Sequence, residues 1–236
     1  MGSEMCIRDR GNHGADFLIK DMHRLTLIMK KNYPDLPYVL IGHSMGSYMS
    51  RKYASIYGDE LDGVIFLGTG NQPKAVVDSG LKLAHIAKLV RGERYRSELL
   101  NTIMFGAYNK RIKDNRTAND WLTKDTKIVD EYLSDPKCSY KFTANAYIGF
   151  LNVIKYDIDK KNIAKTPDKL PVLFASGLED PVGDYGKGVK KAFKMYTKYV
   201  DNVELYLYED DRHELHSETD REDIFSDLYE WIEENV

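Results

Sequence analysis

The sequence predicts an α/β chain in which a parallel sheet is covered by helices and interrupted by a helical insertion. Three observations carry this. Short apolar runs of strand length alternate with amphipathic helical patterns near both ends of the chain. One run, Tyr38-Val39-Leu40-Ile41, leads straight into Gly42-His43-Ser44-Met45-Gly46, a G-x-S-x-G turn with a helical pattern behind it. Between about Asn71 and Thr166 the alternation stops and only helical patterns remain.

Met1–Arg10, MGSEMCIRDR, has neither periodicity nor turn chemistry and reads as a gene-calling artefact or a disordered tail. From Ala15 the spacing of Leu18, Met22, Leu25 and Met29 predicts a helix. Lys30 and Lys31 suit its last turn, and Pro34 and Pro37 stop it. The strand Tyr38–Ile41 follows, then a helix with Met49, Tyr53 and Ile56 on one face, ending at Gly58. Val64–Leu67 is the next strand, closed by Gly68-Thr69-Gly70. Such alternation requires crossovers, hence a parallel sheet covered on both faces.

Four helical patterns fill the insertion. Ala84, Ala87, Leu89 and Val90 mark the first, and Leu99, Leu100, Ile103 and Met104 the second. Ile128, Val129, Tyr132 and Leu133 mark the third, before Pro136. Tyr147, Phe150, Leu151 and Ile154 mark the fourth, with Thr143 as N-cap. Alternation then resumes with a strand at Val172–Ala175, a helix carrying Val189, Phe193 and Tyr196, and a strand at Val203–Tyr208. A last helix carries Ile224, Leu228, Trp231 and Ile232. The expected division is a core of residues 11–70 and 167–236, with residues 71–166 as a helical cap.

Composition narrows the function. The net charge of −3, with Lys and Arg scattered among acids, gives no reason to expect nucleic acid. Seventeen tyrosines suit surfaces that are apolar on one side and wet at the tip. Cys6 and Cys138 suggest neither a disulfide framework nor a metal site. No apolar run approaches the ~20 residues of a membrane span, and there is no signal-peptide core. A cytoplasmic location is the default expectation.

The chemistry follows from the turn. A nucleophilic serine must stand clear of the sheet on a tight, strained turn, which Gly42 and Gly46 are expected to leave room for. The Met45 N–H, just after the serine, is then an oxyanion donor. A serine hydroxyl needs a base to take its proton and a carboxylate to orient that base. On this architecture the expected chain order is serine, acid, histidine, each on a loop after a strand. The loop after Val172–Ala175 offers Asp180, with Glu179 and Asp184 as competitors. The loop after Val203–Tyr208 offers His213, with His216 three residues on. Asp180 before Pro181 is also a good turn residue. His43 is expected to pack beside the turn. Trp121 and the other aromatics of the insertion are expected to be its core residues, with some of them lining a substrate passage.

The segments DLPYVLIGHSMGSYMSRKYASIYGDELDGVIFLGTG, FGAYNKRI, RTANDWLTKD, DPKCSYKFT, GLEDPVGDYGKGV and YEDDRHELHSETDREDIFSDLYEWI resemble the lysophospholipase/monoacylglycerol lipase-like group of α/β-hydrolases, from about Ala15 to the C-terminus. The resemblance implies an α/β-hydrolase fold and an esterase with Ser44 as nucleophile, Asp180 as acid and His213 as base. It also implies a helical cap over residues 71–166 and monoacyl lipid esters as substrates. Transient membrane-surface contact through the lid is a further expectation, and no metal or organic cofactor is expected. One departure stands out. Family members begin with roughly four strands before the helix that opens this chain, and a His-Gly-rich loop among them supplies a second oxyanion N–H. His13-Gly14 precedes a helix instead, so the chain is expected to be an N-terminally truncated member with its first strands missing. The rival expectations are a non-catalytic scaffold that binds a lipid or partner, and an esterase or peptidase of small substrates.

Overall fold

The computed structural model describes residues 14–138 and 140–236; Met1–Arg10 and His13 lie outside them. Helix α1, Gly14–Asn32, opens with Asp16 and closes with Lys30 and Lys31, which suits its dipole. It packs on other helices rather than on the sheet, and this shifts its buried stripe. Gly14, Ala15, Ile19 and Thr26 are its buried residues, Leu18 and Met22 pack beside them, and Leu25 of the periodic set faces solvent.

Strand β1, Val39–His43, is followed by helix α2, Met45–Tyr57, which ends in a 3₁₀ turn at Gly58–Glu60. Met49 and Tyr53 are buried on α2, while Ile56 is exposed. Tyr53 donates its hydroxyl to Thr26 Oγ1 at 2.8 Å, pinning α1 to α2. Strand β2 is Gly63–Leu67. Helices α3 (Lys74–Arg91), α4 (Glu98–Phe105), α5 (Thr126–Ser134), α6 (Ala144–Asp157) and α7 (Lys160–Ile163) follow, with no strand among the described residues between them. Thr143 caps α6, its hydroxyl accepting from Ala146 N at 3.1 Å. Helix α6 is buried along most of its length, because it packs against α3 on one side and α2 on the other. Helix α3 is buried through Val77, Leu81 and Ala84 but turns Leu89 and Val90 to solvent, at 86% and 70% exposure.

Strand β3 (Val172–Gly177), helix α8 (Lys187–Tyr196), strand β4 (Val203–Tyr208) and helix α9 (Arg221–Asn235) complete the chain. The sheet is parallel throughout, in the order β1-β2-β3-β4. Alternate residues feed two cores. Val64, Phe66, Val172 and Phe174 face the larger, built with α1, α2, α3, α6 and α8. Ile65, Leu67, Leu173 and Ala175 face the smaller, where Ile224, Leu228 and Trp231 of α9 cover them. Among the described residues that second face has a single covering helix, and Ile41 on β1 is left 50% exposed.

In a parallel sheet every strand ends at the same edge. The loops after β1, β2, β3 and β4 therefore converge there, and they carry Ser44, Gly68–Gln72, Asp180 and His213.

Candidate active site

Ser44 sits between β1 and α2 with φ 54° and ψ −120°, a backbone region that L-residues rarely occupy. Neighbouring bonds hold it there. Its N–H donates to Leu67 O at 3.0 Å, and its carbonyl accepts from Ser47 N at 2.9 Å and Ser47 Oγ at 2.6 Å. The two elbow glycines have different roles. A Cβ on Gly42 would meet the Gly46 carbonyl oxygen at 2.5 Å, so only glycine fits. A Cβ on Gly46 would meet nothing within 4 Å, which corrects the expectation of crowding there. Gly46 supplies the carbonyl that crowds Gly42 and is not itself crowded. Met45 opens α2, so its N–H is among those a helix leaves without an internal acceptor.

The structure brings together Ser44, His213 and Asp180. Ser44 Oγ and His213 Nε2 are 2.8 Å apart, and His213 Nδ1 and Asp180 Oδ2 are 3.0 Å apart. Since a carboxylate only accepts, Nδ1 carries the proton and Nε2 is free to accept from the serine hydroxyl. Asp180 and His213 are buried, and Asp180 Oδ1 accepts from Val182 N at 2.8 Å. The competitors stand apart: Glu179, Asp184 and His216 are exposed. His216 packs its ring edge-on against His43, with centroids 4.7 Å apart.

His43 does more than pack beside the turn. Its Nε2 lies 3.1 Å from the carbonyl oxygen of His213, so it must donate there. Burial, with His213 and His216 close by, lowers its pKa to about 3 and keeps the ring neutral.

Of the two places expected for the aromatics of the insertion, Trp121 takes the second. It lines the cavity at Ser44 rather than the insertion's core, its ring 5.0 Å from that of His213 and 4.8 Å from that of Tyr108. The cavity has a volume of about 720 Å³. Val77, Leu83, Met104, Phe105, Phe150, Leu151 and Ile154 give it apolar walls, while Gln72, Asp184, Lys187 and Lys191 are among its polar lining.

Two buried polar clusters support the site, and sequence reasoning found neither. Arg51 is buried on α2 and donates to Gly70 O at 2.8 Å and Asp157 O at 3.0 Å, which holds the loop after β2. Burial raises the Asp157 carboxyl well above its usual range, against the pull of Arg51 and Lys52. Beside His213, the carboxylates of Asp211, Glu218 and Asp220 lie close together. Lys124 forms ion pairs with Asp211 and Asp220, placing an ammonium where a cation would otherwise sit. The signal that could have found this cluster is the density of acids around His213 in EDDRHELHSETD.

Comparison with known proteins agrees with the fold. The family described as "Serine aminopeptidase, S33" matches residues 8–220. The Monoglyceride lipase homolog of Monkeypox virus is 22% identical over 98% of this chain and 74% of its own length. A thermostable carboxyl esterase from Bacillus coagulans, solved with glycerol, superposes with TM-score 0.87 and is 28% identical, over 96% of this chain and 73% of that one. A soluble variant of monoglyceride lipase from Saccharomyces cerevisiae superposes at 0.70 with 21% identity, over 95% and 70% of the two chains, a likeness of fold. The parallel sheet, the turn at Ser44 and a family match over most of the chain agree: this protein belongs to the serine aminopeptidase family of α/β-hydrolases.

Proposed function

We propose that the protein is a serine hydrolase of carboxylic esters, with monoacyl lipids as its substrates. The observation that carries this reading is the Ser44–His213–Asp180 relay opening into an apolar cavity of about 720 Å³. His213 Nε2 takes the proton from Ser44 Oγ as the oxygen attacks the ester carbonyl. The Met45 N–H steadies the oxyanion that forms. His213 returns the proton to the departing alcohol, leaving Ser44 acylated. Water, activated by His213 in turn, releases the fatty acid and restores Ser44. Asp180 holds the imidazole in the required tautomer throughout.

The cavity favours an ester over a peptide. An aminopeptidase substrate carries a cationic α-amino group, and this cavity sets two lysines, Lys187 and Lys191, against one carboxylate, Asp184. Its walls suit an acyl chain. Helices α3 to α6 form the cap in this reading, and exposed Ile86, Leu89 and Val90 on α3 suit contact with the lipid surface that holds the substrate. Replacing all three by Ser is expected to abolish co-sedimentation with phospholipid vesicles without altering turnover of a soluble ester.

Intact-mass spectrometry after fluorophosphonate treatment tests the mechanism. One adduct on the native chain, absent in Ser44→Ala, is expected. A non-catalytic scaffold would give no adduct on folded protein. Turnover across p-nitrophenyl esters and monoacylglycerols of increasing chain length then reads the substrate class. A preference for acetyl over longer acyl groups argues against lipid.

A further inference from the structure

The segment Asp120–Lys124, between α4 and α5, is clasped to the loop that carries His213. Glu214 N donates to Leu122 O at 2.7 Å, and His213 N faces Trp121 O at 3.4 Å. The Arg212 guanidinium donates back to Asp120 O at 2.6 Å and Thr123 O at 3.0 Å. Glu218 lies at the centre, fully buried. One of its carboxylate oxygens accepts from Arg212 N at 2.7 Å. The other accepts from Lys124 N at 2.9 Å and lies 3.0 Å from Thr123 Oγ1, whose one proton is shared with Ser217 O at 2.8 Å. Lys124 adds its ion pair with Asp211.

We propose that Glu218 is a positioning residue for His213 and that the segment Asp120–Lys124 is the template against which it works. The proposal rests on His213 as the general base of the hydrolase. The loop after β4 has no ladder of its own between Tyr208 and the 3₁₀ turn at Leu215–Ser217. Without external bonds its backbone has many conformations, and few keep Nε2 within reach of Ser44 and Nδ1 within reach of Asp180. Glu218 fixes the residue just before His213 by its N–H and ties it to two consecutive residues of the clasped segment. Two backbone N–H groups converge on the carboxylate, one on each oxygen, a demand that a carboxamide cannot meet because its NH₂ would oppose one of them.

Glu218→Gln and Thr123→Val test this, the second removing, without changing shape, the hydroxyl that contacts Glu218, Ser217 O and Asp125 N. Two readouts are taken: kcat and KM for p-nitrophenyl butyrate per fluorophosphonate-titrated site, and the low-field proton NMR signal of His213 Nδ1–H. Glu218→Gln is expected to lower kcat per titrated site about 10- to 100-fold, with KM within twofold, and to broaden or shift the low-field signal. Thr123→Val is expected to lower kcat several-fold in the same pattern. A purely structural Glu218 would reduce the fraction of titrated sites and the melting temperature but leave kcat per site and the signal unchanged, which overturns the proposal. The NMR signal needs no substrate. If it moves in a protein that Ser44→Ala shows not to be a serine hydrolase, positioning stands and the hydrolase reading is what failed.

Discussion

His43 Nε2 donates to the carbonyl oxygen of His213 at 3.1 Å, so a residue of the nucleophile turn holds the backbone of the histidine it faces. The bond requires a proton on Nε2, and burial beside His213 and His216 keeps the ring that donates it neutral.

A pH dependence follows from that burial. The His43 pKa is lowered from 6.5 to about 3 in the folded chain. Between those values the unfolded chain binds a proton that the native state does not. Stability from this group is therefore complete above about pH 6.5 and lost as pH falls toward 3, by up to about 1.4 kcal/mol per pH unit. Asp157, Asp211 and Glu218 act in the opposite sense, since burial raises their pKa values and the native state holds their protons longer. A difference measurement isolates His43. Urea unfolding at pH 7, 6 and 5 is expected to give a steeper loss for the native chain than for His43→Gln; parallel curves would remove the argument.

Strain at Ser44 makes a second outcome measurable. At φ 54° and ψ −120° a Cβ is costly and glycine is not. Ser44→Gly is expected to be more stable than Ser44→Ala by about 1 kcal/mol, although both lack the hydroxyl. Equal melting temperatures for the two variants would show that the turn is unstrained.

The carboxylate of Asp157 is buried with neither oxygen in a hydrogen bond, and burial dominates its environment. Desolvation then outweighs its attraction to Arg51, whose guanidinium is held by carbonyl oxygens in any case. Asp157→Asn is expected to be neutral or to stabilise by about 1 kcal/mol in chemical denaturation at pH 7. Arg51→Met, which frees the Gly70 carbonyl and leaves the acid without its counter-charge, is expected to destabilise by about 3 kcal/mol. The reverse order would mean that the ion pair, not the carbonyl contacts, holds this loop.

β1 is an edge strand among the described residues, and Ile41 is exposed on it. An apolar edge invites pairing with another chain. Ile41→Lys is expected to reduce concentration-dependent association in light scattering without a loss of secondary structure. No change would mean that the edge is protected by other means.

Local pattern made much of this molecule legible. Val203–Tyr208 is the predicted strand to the residue, and Ser44, Asp180 and His213 come together in the order their loops suggested. Each of these signals spans only a few residues, and the parallel topology then brings the loops to one edge. What stayed illegible depends on partners far along the chain. Glu218 meets Thr123 across 95 residues and Arg51 meets Asp157 across 106. Periodicity also gives a helix a stripe without saying what covers it. Leu25 and Leu89 belong to apolar stripes, yet the neighbours of α1 and α3 leave both in solvent. Trp121 was equally ambiguous, because an aromatic in a connecting segment looks the same in sequence whether it faces a core or a cavity.

The strand order has a consequence for tolerance to insertions and deletions. Ser44 follows β1 and His213 follows β4, three strands away, a distance of about 14 Å across the sheet. Residues 209–213 must span back over that width, so one residue more or fewer there would shift the imidazole by up to about 3.5 Å. At the opposite ends of the strands, residues 197–202 carry no side chain of the candidate site, but Val200 is buried there and Asp201 N donates to Asp168 O at 2.8 Å. Length changes are expected to lower stability there and to abolish activity at 209–213, giving a lopsided indel map of activity across the sheet.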